Sequence, residues 1–352
     1  MVGALSRPPC LLSFSGGRDS SALLGVAVDV ARRESLALPI PMTVVFLGSA
    51  ASEEGEWQEL VLGHLGVEDR VRLELDDELD AVGPVATAAL KRHGLFWPYN
   101  AHFHVPIFEQ AAGGTVITGF GGDELALSSE GARAARALSR WRRPGWSDLL
   151  SVGLAVAPPP VRAAVYRRRM ARDASALPWL TPEAIRQVGE VAGRMERRAP
   201  IGWEAGIRRL LWRDRYFRVC TRTFAVMADF HDVRVVHPFV EASVLDALAS
   251  AGGFAGLGDR RQLMEALFGD LLPAPIVDRA SKASFNDPLW TATARDFVAR
   301  WSGGGLDRDL VDVAALRQHW ASSEWKIAAT TMLQQAWLHD HHRDQRDHHG
   351  RP

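Results

Sequence analysis

The feature that most constrains this chain is a junction near its start. An apolar run, Cys10–Phe14, breaks at Ser15-Gly16-Gly17-Arg18-Asp19-Ser20-Ser21, and a helix-spaced apolar pattern follows to Arg33. Leu23, Leu24, Ala27, Val28 and Ala31 recur at that spacing, which predicts strand, tight loop and helix in direct succession. Two adjacent glycines let backbone N–H groups come close to a ligand, and the helix behind them presents unpaired N–H donors. With the serine hydroxyls this makes a cradle for pyrophosphate oxygens. Asp19 suits such a place only if a divalent cation stands between it and phosphate; otherwise it reads as an ordinary N-cap. Neither GxxxxGK[ST] nor GxGxxG occurs, so kinase-like and dehydrogenase-like readings are weak.

The first third goes on alternating. Met42–Leu47 reads as a buried strand, Glu53–Leu65 as an amphipathic helix and Arg70–Leu75 as a half-buried strand. Gly114–Thr118 is a further strand, running into a second glycine-rich break, Gly119-Phe120-Gly121-Gly122. Strands spaced by helices of this length predict an α/β fold: a parallel, Rossmann-like sheet with crossover helices and a large helical portion. Ligands of such sheets bind at the carboxyl ends of the strands, where both breaks fall. From Ser128 the pattern turns helical, with Ala132–Trp141, Val161–Ala171, Pro182–Arg197 and a long stretch Trp203–Ala228. Val233–Val236 reads as a last strand before His237-Pro238-Phe239. The expected organisation is a nucleotide-binding core over 1–127, a basic helical segment over 128–215, and a helical remainder over 216–340. A polar, His-rich tail that frays completes it over 341–352.

The overall formal charge of −1 conceals a division: 1–127 carries −9, 128–215 carries +10 and 216–352 carries −2. The neutral total argues against a general nucleic-acid binder. The basic middle reads either as solvated arginine-rich helices or as a docking surface for an anionic partner. Two cysteines, Cys10 and Cys220, cannot make a disulfide framework or a four-thiolate zinc site. No secretory signal and no membrane-length apolar run is visible, so a cytoplasmic location is expected. Only Lys91, Lys282 and Lys326 among the 41 basic residues are lysines, which makes a lysine at a special place informative.

The SGGxDSS loop resembles the pyrophosphate loop of the ATP pyrophosphatase superfamily, whose fold is of the adenine nucleotide α-hydrolase type. Within it, Thr118-Gly119-Phe120-Gly121-Gly122-Asp123-Glu124-Leu125 resembles the (S/T)GxGxDEL stretch of the asparagine synthetase synthetase domain. The run from Asp232 to Glu241 is similar to that family's ExRxPFLD region, and Arg279-Ala280-Ser281-Lys282-Ala283-Ser284-Phe285 to its RxxKxxF loop. The resemblance implies that Ser15, Gly16, Gly17, Ser20 and Ser21 hold the β and γ phosphates of ATP. It implies that Asp19 and Asp123 ligate Mg²⁺, and that Phe46, Leu47 and Gly119 meet the adenine. Lys282 would stabilise charge at the α-phosphate or acyl group, with Glu124 and Asp232 as further catalytic candidates. Asp123 and Glu124 also suit a plain helix cap, and Lys282 a surface position.

Two departures from that family matter. Its asparagine synthetases carry an N-terminal glutaminase domain, whereas here the phosphate loop begins at Ser15, so no in-chain glutaminase is expected. At position 120 they have an acid, and the β-lactam synthetases a tyrosine. Phe120 can neither take a proton nor donate a hydrogen bond. His231, Asp232 and His237 are the nearest substitutes by motif position, although each histidine suits a structural role as well. HPFVEASVLDAL also shows some likeness to the lasso-peptide cyclases. The expected function is an ATP-dependent, AMP- and pyrophosphate-forming amide synthetase in peptide or natural-product biosynthesis. It would join a small-molecule or peptide carboxylate to an amine or ammonia, with a separate amine-supplying, leader-peptide or carrier partner. The rivals are an ammonia-dependent asparagine synthetase, a nucleotide-binding partner protein without turnover, and, last, sulfur transfer to tRNA.

Overall fold

The computed structural model describes residues 1–47, 54–125, 134, 146–213, 215–281, 286–322 and 325–349. The chain forms two compact units that interleave along the sequence. One comprises Met1–Asp76, Phe103–Ala155 and Pro200–Phe285, the other Asp77–His102, Val156–Ala199 and Asn286–Pro352. These crossings do not coincide with the segment boundaries at 127, 215 and 340.

The first unit is built on the sheet. Strands β1 (Cys10–Ser13), β2 (Ile40–Phe46), β3 (Val71–Leu75), β4 (Thr115–Ile117) and β5 (Arg234–Val236) pair in the order β3-β2-β1-β4-β5. Every pairing is parallel, with Leu12 opposite Pro41 on one side and Ile117 on the other. The α/β expectation therefore holds. The central strands are apolar because helices cover both faces of such a sheet: Leu11, Leu12, Val116 and Ile117 are all buried. The helix Arg18–Arg33 buries the predicted stripe of Leu23, Leu24, Ala27, Val28 and Ala31. Each fully buried Leu or Val contributes roughly 2 kcal/mol. From β1 the chain steps outward to β2 and β3, then returns to the other side of β1 for β4. The order reverses between β1 and β4, so a crevice opens beyond their carboxyl ends.

The long stretch Trp203–Ala228 is helical over Trp203–Arg213 and Arg215–Asp229, with residue 214 outside the described residues. Two expectations need adjustment. The last strand begins at Arg234. The polar tail is helical through the described residues, the final helix running Thr330–His349. Its first turns are anchored by buried Leu333, Gln334 and Ala336, and His341 stacks on Trp337 at 5.1 Å. Once nucleated by packing, a helix extends at the gain of one hydrogen bond per residue, so polar residues are carried along. Ala132–Trp141, apart from Ala134, lies outside the described residues.

In the second unit the helices Pro159–Ser175 and Pro182–Arg197 pack closely because Gly189 and Gly193 present no side chain. A Cβ at 189 would stand 2.9 Å from the Arg167 carbonyl oxygen, and one at 193 would stand 3.1 Å from that of Ala163. Buried Arg162 spans the pair, donating to Glu196 at 3.1 Å and to the Ala199 carbonyl at 3.0 Å. Part of the basic middle is thus structural, and Arg186 is tied up with Glu183 and Glu190 on one helix face. Buried Asp80 accepts from the backbone N–H groups of Val82, Thr291 and Ala294 and from the Thr291 hydroxyl. Among the described residues no helix is long and apolar enough to cross a membrane.

Candidate active site

The first loop is set by its neighbours before any ligand arrives. Phe14 extends β1 by donating to the Met42 carbonyl and accepting from the Thr43 hydroxyl at 2.7 Å. Gly16 then turns at φ +84, a conformation that favours glycine, and a Cβ there would lie 2.9 Å from the Gln58 side chain. Gln58, on the helix Gly55–Leu65, donates to the Ser15 carbonyl at 3.1 Å. Inside the loop the Ser15 and Ser20 hydroxyls lie 3.2 Å apart, Gly17 N–H donates to Ser15 Oγ, and Ser20 Oγ donates to the Gly17 carbonyl. Ser21 is fully buried, and its hydroxyl finds no hydrogen-bond partner among the described residues. It lies under the loop rather than on its surface.

The second loop meets the first at Asp19. A Cβ on Gly122 would stand 2.5 Å from Asp19 Cγ, so only glycine permits this approach. Gly119 also lies against Ser20 and Asp19, at 3.5 Å and 3.6 Å from a notional Cβ. The approach brings the Asp19 and Asp123 carboxylates to a single guanidinium. Arg260 donates to both Asp19 oxygens at 2.7 Å and also bonds Asp123 Oδ1. Burial alone would lower the Arg260 pKa, but the two carboxylates outweigh it and raise it. Arg18 is pushed the other way, by its own burial and by Arg260.

The loop is braced from a third direction. Arg279 and Glu54 form a buried two-pronged ion pair, and Arg279 also donates to the Gly16 carbonyl at 3.0 Å. Its guanidinium lies over the Trp57 ring at 4.5 Å and reaches Ser281 Oγ at 3.1 Å. The start of the RxxK stretch is therefore tied to the Ser15–Gly17 loop. Lys282 itself lies outside the described residues.

Beyond β4, Phe120 enters a set of rings: its centroid is 5.4 Å from His237, 5.5 Å from Phe224, 5.7 Å from Phe217 and 6.3 Å from Tyr216. His237, just after β5, is bonded through Nδ1 to Thr118 Oγ1 at 2.6 Å. The same oxygen accepts from Phe120 N–H at 3.3 Å, so one hydroxyl ties the imidazole to the second loop. Burial, then the neighbouring His104, push the His237 pKa down to about 3, so the ring is neutral.

Of the sequence-derived candidates, the fold gathers Ser15, Gly16, Gly17, Asp19, Ser20, Gly119 and Asp123 in this crevice. Glu124 borders it and lines a small apolar pocket with Gly121, Leu125, Phe217, Phe239, Val240 and Leu245. Phe46 ends β2 on the same carboxyl edge and Leu47 follows it; Leu47 is exposed and its N–H donates to the Leu75 carbonyl, while Phe46 packs on Phe103. Asp232 is not brought there. It precedes β5 and so lies at the amino edge, 84% exposed and ion-paired with Arg7 at 3.2 Å. His231 adjoins it, packed on Phe230. In a parallel sheet, residues before and after a strand emerge at opposite edges, which separates both from the site and leaves only His237 beside Phe120. Arg260, Glu54, Arg279 and Gln58 escaped sequence reasoning as site residues. Only Arg279 carried a signal, its place in the RxxK stretch.

The residues suit a nucleotide, although among the described residues no group of three or more His, Cys, Asp or Glu is placed to hold a metal ion. Three glycines withdraw side chains where a polyanion needs backbone, and two convergent carboxylates supply the oxygen donors a hard cation takes. A loop–helix cradle at the reversal point of a parallel sheet, beside paired acids, defines a nucleotide-dependent enzyme of the α/β class. The family model for asparagine synthase matches residues 4–340, and the chain belongs to that family, which uses ATP and comprises ATP-dependent amide-forming ligases. Compared with curated proteins, the chain has no match.

Proposed function

We propose that this protein forms an amide by splitting ATP to AMP and pyrophosphate, adenylating a substrate carboxylate and passing the acyl group to an amine or ammonia. The observation that supports this reading best is the meeting of Asp19 and Asp123 at the mouth of the Ser15–Gly17 loop, made possible by Gly122. Mg²⁺ held there would supply charge neutralisation on the leaving pyrophosphate. The chain's own part is positioning: Gly16 turns the loop without a side chain, Ser15 and Ser20 stiffen it through Gly17, and Arg279 with Glu54 fixes its base. Lys282, three residues beyond Arg279 in sequence, is assigned to the charge at the acyl or α-phosphoryl group.

The aromatic setting of Phe120 favours an organic amine over asparagine formation. The rings make an apolar wall where an acid would otherwise stand, and His237, held neutral at about 3, is a poor proton acceptor. It is assigned to hydrogen bonding rather than to proton transfer. The reading places the enzyme in peptide or natural-product biosynthesis, with the amine supplied by the substrate itself or by a separate partner.

The test is ATP–pyrophosphate exchange with radiolabelled pyrophosphate across a panel of amino acids and peptides, aspartate included. Exchange with one acid, yielding AMP and abolished in Asp19→Asn and Asp123→Asn, is expected. Release of ADP and phosphate, or full activity in both variants, would overturn it. Exchange with aspartate followed by asparagine formation from ammonium would select the primary-metabolic rival.

A further inference from the structure

Arg260 engages the same carboxylate oxygens that a divalent cation needs. It donates to both oxygens of Asp19 at 2.7 Å and to one of Asp123. A guanidinium has only donors and a cation needs only acceptors, so the two cannot share those oxygens. Taking the two acids as the cation ligands of the proposed reaction, we propose that Arg260 is a built-in competitor of the cation. In this role it keeps Asp19 and Asp123 convergent before loading, and it must swing off them when the cation enters.

The surroundings suit a side chain with two positions on a fixed backbone. Arg260 is the first residue of the helix Arg260–Phe268, whose start is locked by a reciprocal cap between Asp259 and Gln262. Gly258 turns into that cap at φ +96, where a Cβ would collide with Gln262 at 2.4 Å. The backbone is thereby held, and the freedom lies in the side chain. On the two acids the guanidinium is incompletely served: its Nε is buried with no hydrogen-bond partner among the described residues. An unsatisfied buried donor is a cost that a second position with phosphate oxygens in reach would remove. Arg18, beside the same acids, adds a second positive charge that opposes Arg260 where it stands.

Because the competitor is tethered, its removal should tighten the cation and weaken the nucleotide. The experiment titrates Mn²⁺, as a paramagnetic stand-in for Mg²⁺, into nucleotide-free protein and reads free Mn²⁺ by electron paramagnetic resonance. Arg260→Met should bind Mn²⁺ about tenfold more tightly than the wild type, within the usual range of coupling between sites. Arg260→Lys, which keeps the charge but cannot grip both acids, should tighten it less and serves if the first variant fails to fold. Calorimetry of ATP in saturating Mg²⁺ should show weaker binding in Arg260→Met. Equal or weaker Mn²⁺ affinity in the variants, or no Mn²⁺ binding in any of the proteins, overturns the proposal. The ligase reading stands or falls separately, on the products of ATP exchange.

Discussion

Arg279 and Glu54, 225 positions apart, form a buried ion pair whose arginine also holds the Gly16 carbonyl. The side chains are 4% and 3% exposed, so each charge depends on the other. Truncating one partner takes from the other a counter-charge that water cannot replace at this depth. Arg279→Ala should therefore lower stability by about 3–5 kcal/mol in urea unfolding. Arg279→Lys should recover only part of that, since an ammonium cannot bond both carboxylate oxygens and the Gly16 carbonyl in one plane. Equal stability in all three proteins would show that the pair does not brace the loop.

The contact between Gly122 and Asp19 makes a second prediction. In Gly122→Ala the new methyl group must displace the Asp19 carboxylate, because 2.5 Å to Cγ is not a possible contact. A shift of about 1 Å in a reacting group can cost about 100-fold in rate. Pyrophosphate exchange should fall by about that factor, while Gly113→Ala, remote at the amino edge, should leave it nearly unchanged. Comparable losses in both would mean that general destabilisation, and not the displaced carboxylate, is responsible.

A third prediction concerns pH. The His237 pKa falls from an ordinary value of 6.5 to about 3 on folding, chiefly by burial, so the unfolded chain binds the extra proton between those values. Stability from this group is present above pH 6.5 and is lost as the pH falls toward 3. Buried His102, lowered to about 4, acts with the same sign. Thermal unfolding of the wild type should move to lower temperature from pH 7 to pH 4.5, and His237→Phe should show a shallower slope. An unchanged slope would mean that His237 already carries its proton in the folded protein.

Much of this site is legible in the sequence because its parts are local. A strand, two glycines and a helix start are specified within about ten residues, and periodicity locates them without any partner. The second glycine loop is legible for the same reason. Direction along a strand was legible too, yet motif position alone put Asp232 with His237. The strand β5, Arg234–Val236, lies between them and places them at opposite edges.

What the sequence by itself determined is the parallel sheet, the glycine loop between its first strand and helix, and the family. Backbone geometry and apolar spacing are written in neighbouring residues. Only the tertiary structure decided what those loops face. Arg260 is one basic residue among 41 until the approach of two loops brings Asp19 and Asp123 onto it, and Glu54 is an unremarked acid until Arg279 finds it. The polar end of the chain became a helix for a similar reason: packing at Leu333 and Ala336 nucleates it. Charge pairing and nucleation depend on distances through space, and those exist only once the sheet has brought the distant segments together.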